Sequence, residues 1–352
     1  MLRKTYDTKP KNMSNTQRAT ETINSTDPLT TISELLKDDI EAVNQLIVKE
    51  AASSTELIPS IAQHLIKAGG KRIRPLLTLA ANRLCDGDGV TSHPLAAAVE
   101  FIHTATLLHD DVVDSSQLRR GKPSANAVWG NKASVLVGDF LFSRSFQLMV
   151  RPKDTEVLQV LANASATIAE GEVLQLTYSH DLSISAMTAI QIIGAKTAEL
   201  FAAACDVGAR ISGHEQRIEY AQALREYGYN LGLIFQITDD ILDYTADAKG
   251  LGKSIGDDFF EGKITLPVIM CHPNCSEDEQ QFWQNKLVER KAEQDDFTTA
   301  VELINSHHGF EQCQSLAEKY ASLAHEALTK LPENEITQNL RAIIDFCLTR
   351  EY

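Results

Sequence analysis

The sequence predicts an all-α protein, a single large helical bundle around a central apolar cavity, and three observations carry that expectation. From Asp27 onward, nearly every segment between turn signals repeats its apolar residues at helical spacing. No strand alternation or hairpin signal competes with this pattern, and no repeat of fixed period divides the chain. The third observation is a pair of aspartate-rich strings, LLHDDVVD and FQITDDILDY, each at the polar end of an apolar helical run.

Composition narrows the functional classes. Of 352 residues, 43% are hydrophobic and 23% charged, the balance of a globular protein with room for one large core. A net charge of −15 argues against nucleic acid as a partner and gives no bulk attraction to anionic membranes. A phosphate-bearing ligand must then be held by local Lys and Arg clusters or by metal. Six scattered cysteines read as free thiols of a reducing cytosol. CHPNC, Cys271 to Cys275, is half of a zinc spacing with no matching second pair, so it also reads as free thiols. No apolar run reaches membrane-span length, and the N-terminus lacks the apolar core of a signal peptide, so the expected location is cytoplasmic.

Residues 1–26 are polar and without periodicity, a disordered tail in which Met13 offers an alternative start. Residues 27–352 form the expected domain. Asp27-Pro28 marks a helix start, and Ile32, Leu35, Leu36, Val43, Leu46 and Ile47 form one face of an amphipathic helix. Leu57 to Ala68 is a short helix ended by Gly69-Gly70. GGKRIRP then sets Lys71, Arg72 and Arg74 before the apolar run Leu76 to Leu84. Cations at a helix start bind phosphate, although a basic surface loop has the same composition.

Ala96 to Leu108 is apolar nearly all round, so that helix is central. His103 interrupts it; a satisfied core histidine and a ligand contact are both open. At its end Asp110 and Asp114, four apart, share a face, with Asp111 beside them. Taken alone, such a string is more often a solvated helix face. A second cluster, Asp239, Asp240 and Asp243, on another apolar helix changes the balance, because burying unpaired carboxylates costs several kcal/mol. The economical arrangement has the clusters facing each other across one cavity and sharing hard, oxygen-liganded cations, Mg²⁺ or Mn²⁺.

RRGKPSA, Arg119 to Ala125, is another basic Gly-Pro loop. Trp129 to Met149 resumes a helix, with Gly138 at a close approach. Glu156 to Tyr178 ends in GEVLQL, which offers Glu172 and Gln175. Ile190 to Ala209 holds Lys196-Thr197 among small and apolar residues, and a buried Lys needs a partner. ADAKGLGKSIGDDFFEGKITLP is one long irregular region, its Lys249, Lys253 and Lys263 interleaved with Asp257 and Asp258, and loops of that kind are often lids. Glu277 to Tyr352 reads as further amphipathic helices.

With these motifs in this order, the chain resembles the trans-prenyl diphosphate synthases from about Gly69 to Pro267. Bacterial long-chain members, octaprenyl above all, resemble AAVEFIHTATLLHDDVVD most. The resemblance implies the isoprenoid synthase fold, a homodimer and Mg²⁺-dependent condensation of isopentenyl diphosphate with an allylic diphosphate. It also implies transient membrane contact for product release and a quinone side chain as destination. Lys71, Arg74 and Arg120, with His103, would hold isopentenyl diphosphate. Arg119, Lys196, Thr197, Gln236 and Lys253 would contact the allylic diphosphate. Asp110, Asp111, Asp114, Asp239, Asp240 and Asp243 would bind metal.

Small residues four and five positions before Asp110, Thr106 and Ala105, leave room for a long product, with Met149 and Leu161 as deeper walls. Small residues there also simply permit helix packing. A class I terpene cyclase would not need GGKRIRP, and a non-catalytic subunit would not keep both aspartate clusters.

Overall fold

The computed structural model describes residues 27–67, 72–119, 121–245 and 255–350. The predicted tail, and with it Met13, the Gly69-Gly70 cap, and the side chains of Lys71, Arg120, Lys249 and Lys253 lie outside those residues.

The architecture is helical, as the periodicity requires. Helix α1 (Pro28–Leu35) is capped by the Asp27 carboxylate and starts on Pro28. The single helix expected from Ile32 to Ile47 breaks at Leu36, and α2 (Lys37–Glu50) begins anew with Asp38 and Asp39 in its first turn. Acidic residues are favourable at that end of a helix, and the break turns Asp39 toward Arg83 and His93. Helix α3 (Leu57–Lys67) precedes α4 (Ile73–Leu84), which begins beyond Arg72 in a left-handed conformation, φ 45°. Helix α5 (His93–Val113) is the buried central rod: Leu95 to Val99, Phe101, Ile102, Ala105 and Leu108 are all shielded.

The RRGKPSA stretch is a minimal antiparallel hairpin, β1 (Leu118–Arg119) with β2 (Lys122–Pro123). Two-residue strands are too short to leave an alternation signal, which is why the sequence showed only a loop. The predicted Trp129–Met149 helix is α7 (Asn131–Met149), preceded by a short helix that the sequence did not signal, α6 (Ala125–Trp129), which ends at Gly130, φ 83°. Gly138 does sit at a close approach, since a Cβ there would collide with the His109 ring.

Helix α8 (Thr155–Tyr178) is capped by Asp154. The expected Ile190–Ala209 helix is continuous, running as α9 (Ala186–Ile193) and α10 (Glu199–Arg210) through a π-helical turn, Gly194–Ala198. Helix α11 (Arg217–Thr245) is the longest. Beyond it come α12 (Asp257–Phe260), α13 (Leu266–Cys271), α14 (Glu277–Trp283), α15 (Asp296–Ser306), α16 (Gly309–Leu328) and α17 (Glu335–Thr349).

Helix α5 packs on α7 and α4, α10 lies between α4 and α11, and α16 covers another side of α11. One large apolar cluster fills this bundle, and a satellite cluster around Tyr244, Phe259, Cys271 and Trp283 lies beyond the end of α11. Among the described residues no helix is long and apolar enough to cross a membrane.

The α10–α11 contact is close because Gly232 has no side chain. A Cβ on Gly232 would stand 2.5 Å from the Ala198 Cα, which is backbone and cannot swing away. Gly232→Ala should therefore cost about 1–3 kcal/mol, the range for overpacking a tight core, read as a lower denaturation midpoint. The Asp39 knot gives a second test. Burial opposes its charge, yet hydrogen bonds from Arg83 at 2.8 Å and His93 at 2.9 Å outweigh burial and hold its carboxyl below the usual range. The depressed pKa stabilises the fold above the unfolded value of about 4, and the contribution is lost as pH falls through the folded value. Asp39→Asn should thus cost about 1–3 kcal/mol in neutral urea titrations, with the difference from wild type shrinking toward pH 3.

Candidate active site between two aspartate clusters

Helices α5 and α11 both deliver their carboxylates at the C-terminal end, where the helix dipole is already negative. The carbonyls of that turn of α5 are partly satisfied from elsewhere. Ser134 Oγ donates to the Leu108 carbonyl at 3.0 Å, and Asn126 Nδ2 to that of Asp111 at 3.0 Å. The α5 aspartate side chains are met by cations from other segments, Asp110 by Lys196, Asp111 by Arg119 and Asp114 by Lys263.

A cleft of about 210 Å³ lies between the two helix ends. Its walls carry Asp110 and Asp114 from α5 and Asp239 and Asp243 from α11, the first and last aspartates of each string. The four-residue spacing puts each pair on one face, as the sequence predicts. The middle aspartates turn inward. Asp111 is fully buried and binds Arg119, whose Nη2 is 2.6 Å from Oδ1. Asp240 is buried and accepts from Gln236 Nε2 at 2.9 Å and from the Leu266 N–H at 3.3 Å.

Two ammonium groups stand among these acids. Lys196 Nζ is 2.9 Å from Glu172 and 3.7 Å from Asp110. It comes from the π-helical turn, whose extra residue swings the side chain out of ordinary helical register. Lys263 Nζ lies 3.6 Å from Asp114, 3.3 Å from Asp258 and 2.7 Å from Glu261. Asp258 and Lys263 belong to the predicted lid. The backbone N–H of Asp258 donates to Asp243 Oδ2 at 3.2 Å, and that of Gly256 to the Asp243 carbonyl at 2.9 Å.

Burial dominates the titration of the acids. It pushes the Asp110 carboxyl above the usual range, with Lys196 opposing and Asp114 reinforcing. Burial likewise raises Asp111 against Arg119, and Glu172 against Lys196. Asp240 is pushed up to about 7 by burial and then by Asp258. For Lys196 and Lys263 burial works against the charge, yet the surrounding carboxylates win and hold both ammonium groups above their ordinary value. The acids are thus short of positive charge even with two lysines present. Asp111 Oδ2 is buried and accepts no hydrogen bond. An oxygen-only donor set with this deficit fits a hard divalent cation that keeps part of its water shell.

The other predicted residues separate into groups. Arg119, Lys196 and Gln236 line the cleft, while Thr197 donates from Oγ1 to Gln236 Oε1 at 3.1 Å behind it. Arg74, on α4, stacks its guanidinium 4.4 Å from the centre of the Phe201 ring, and His103 is half-buried on α5. Neither lines the cleft. Arg72 pairs with Glu100 at 2.9 Å. Ala105, Met149 and Leu161 are fully buried in the main core, and Thr106 is half-buried with its hydroxyl bonded to the His103 carbonyl at 2.8 Å.

Sequence reasoning did not select Lys263, Asp258 or Arg350 for the site. The first two lie in the quoted lid motif, where only charge alternation marked them. Arg350, at the far end of the chain, is 4% exposed in its side chain and reaches the Phe235 carbonyl at 2.9 Å and Asp239 at 3.5 Å. No motif surrounds it, so only the fold reveals it.

The sequence matches the Polyprenyl synthetase family over residues 55–304. It is 39% identical over 323 residues to an octaprenyl diphosphate synthase of Haemophilus influenzae, covering 91% of this chain and 97% of that one. The crystal structure of a decaprenyl diphosphate synthase from Rhodobacter capsulatus is similar at 46% identity and a TM-score of 0.86, covering 91% of this chain and 98% of the other. That of a polyprenyl synthase from Caulobacter crescentus, complexed with calcium and isoprenyl diphosphate, is 48% identical and covers 92% and 98% of the two chains. Sharing sequence over most of its length and, at a TM-score of 0.87 to the Caulobacter protein, the all-α isoprenoid synthase fold, the chain belongs to the polyprenyl synthetase family and is a prenyltransferase.

Proposed function

We propose that this prenyltransferase is a long-chain trans-polyprenyl diphosphate synthase. It joins isopentenyl diphosphate to an allylic diphosphate such as farnesyl diphosphate and repeats the step, with an octaprenyl product destined for a quinone side chain. The observation that carries this reading is the cleft in which carboxylates from two helix ends converge around Lys196 and Lys263. Such a site suits a diphosphate held through cations. The octaprenyl and decaprenyl names of the similar proteins support a long product.

In this reading Asp110, Asp114, Asp239 and Asp243 would hold Mg²⁺, with Mn²⁺ as substitute, and Asp111 would add its unpartnered oxygen. Bound metal would neutralise charge as it develops on the departing diphosphate. Asp240 accepts one hydrogen bond on each oxygen, from Gln236 and from the start of α13, and would join the second metal group through its remaining lone pairs. Arg119, Lys196, Gln236 and Lys253 hold the allylic diphosphate, and Thr197 steadies Gln236. Lys71, Arg74 and Arg120, with His103, take isopentenyl diphosphate.

The chemistry needs no nucleophilic side chain. The allylic C–O bond breaks, its electron pair leaving with diphosphate, and the cation is sheltered from water by apolar helices. The isopentenyl alkene forms the new C–C bond, and the proton lost from the adduct passes to the released diphosphate. The product keeps the diphosphate of isopentenyl diphosphate and is the next allylic substrate. A homodimer is supported by the exposed Leu136, Phe146 and Val150 along and just beyond α7. The buried free thiols are consistent with a cytoplasmic enzyme.

Incubation with farnesyl diphosphate, labelled isopentenyl diphosphate and Mg²⁺ should give an eight-unit chain by chromatography, and chelation should abolish it until Mg²⁺ is restored. Absence of product alone, with activity on adding a second protein, would instead mark a partner subunit. Lys196→Met should lower kcat about 10²- to 10³-fold in the same assay, the scale seen when one charge-stabilising donor is removed. Product length is set by the wall below Asp110, so Thr106→Phe should shorten the chain and Met149→Ala should lengthen it. Unchanged lengths in both variants would remove these residues from that role.

A further inference from the structure

The second half that CHPNC lacks in sequence is supplied by the fold. Cys275 follows α13, Glu279 lies in the first turn of α14, and His307 follows α15. The Cys275 sulfur, a Glu279 carboxylate oxygen and a His307 ring nitrogen all lie within 4.8 Å of one another. We propose that Cys275, Glu279 and His307 form a transition-metal site, best suited to Zn²⁺ and separate from the aspartate cleft.

The donor set is the first argument. One thiolate, one imidazole and one carboxylate match the ligands that Zn²⁺ takes, whereas Mg²⁺ prefers oxygen alone. Preorganisation is the second. Glu279 is fixed before any ion arrives, since its Oε2 accepts from the Ser276 N–H at 2.7 Å in a capping box and lies 3.1 Å from His307 Nε2. The third lies behind the sulfur. Trp283 is fully buried in the same apolar cluster as Cys275, and its indole N–H has no hydrogen-bond partner, a buried polar group left unsatisfied beside the sulfur. The Cys275 thiol donates to the Cys271 carbonyl at 3.6 Å, a proton that a bound dication would displace, and water can complete the set from the partly exposed side of Glu279 and His307.

The competing account is a helix cap, a surface ion pair and a core cysteine that happen to adjoin. Metal binding by the full-length protein separates the two without reference to turnover. With millimolar Mg²⁺ present to occupy the carboxylate cleft, equilibrium dialysis should find one Zn²⁺ per chain. Cys275→Ser and His307→Asn should each weaken zinc binding by about 10- to 100-fold or more, while Asp110→Asn combined with Asp239→Asn should leave it intact. Because a cysteine variant can misfold, Co²⁺ added to the unmutated protein gives an independent reading, expected as a thiolate-to-metal charge-transfer band in the near ultraviolet. Zinc that disappears with the aspartate pair, no stoichiometric zinc at all, or bound Co²⁺ without a thiolate band would each overturn the proposal.

Discussion

Placing two groups of carboxylates at the negative ends of two helices is unfavourable three times over. The acids repel one another, the helix dipoles oppose them by roughly 0.3–1 kcal/mol each, and burial withholds the water that would screen them. The fold answers with cations from distant parts of the chain. Lys196 comes from the turn between α9 and α10, Lys263 from beyond α12, and Arg350 from the end of the protein. Much of the surrounding architecture follows from bringing those three to one place. The compensation is incomplete, since burial still pushes Asp110 and Asp111 up, and an oxygen-only donor set left in that state fits a hard divalent cation.

Placement of Lys196 depends on two local irregularities. The π-helical turn re-aims the side chain, and Gly232 lets α11 approach the backbone of Ala198 two residues further on. A regular helix would keep Lys196 in a different register, and a side chain at position 232 would widen the gap between Lys196 and the α11 aspartates. The same backbone closeness lets Thr197 reach Gln236, which in turn reaches Asp240. Side chains that never line the cleft thus fix those that do.

How much of this was legible follows from the range of each signal. Helical class, the central position of α5 and the facing aspartate strings rest on local periodicity and composition, so they are visible in the chain. The break at Leu36 hides because hydrogen bonds continue on both sides of it, Leu36 N–H to Ile32 and Ile40 N–H to the Leu36 carbonyl, while the apolar spacing carries on. The π turn hides because one extra residue leaves the small, apolar composition of the segment unchanged. The inward rotation of Asp111 and Asp240 could be seen only in part, since a four-residue spacing says which pair shares a face and not which face meets the partner helix. Arg350 and His307 owe their places to contacts across the fold, which no sequence window contains.

The aspartate cleft and the Cys275–Glu279–His307 group adjoin the same satellite core. Tyr244, next to Asp243, packs there with Phe259, from the same short helix as Asp258, and with Cys271, Cys275 and Trp283. Whatever pins Cys275 and His307 together therefore stiffens the floor on which Asp258 and Lys263 rest. Lys263 pairs with Asp114 on one side and Asp258 on the other, so its position records both the end of α5 and the state of that floor. A tie between α14 and the end of α15 would be felt at the cleft through packing alone, with no shared ligand, because Tyr244 and Phe259 are nearly or fully buried and leave little room to give.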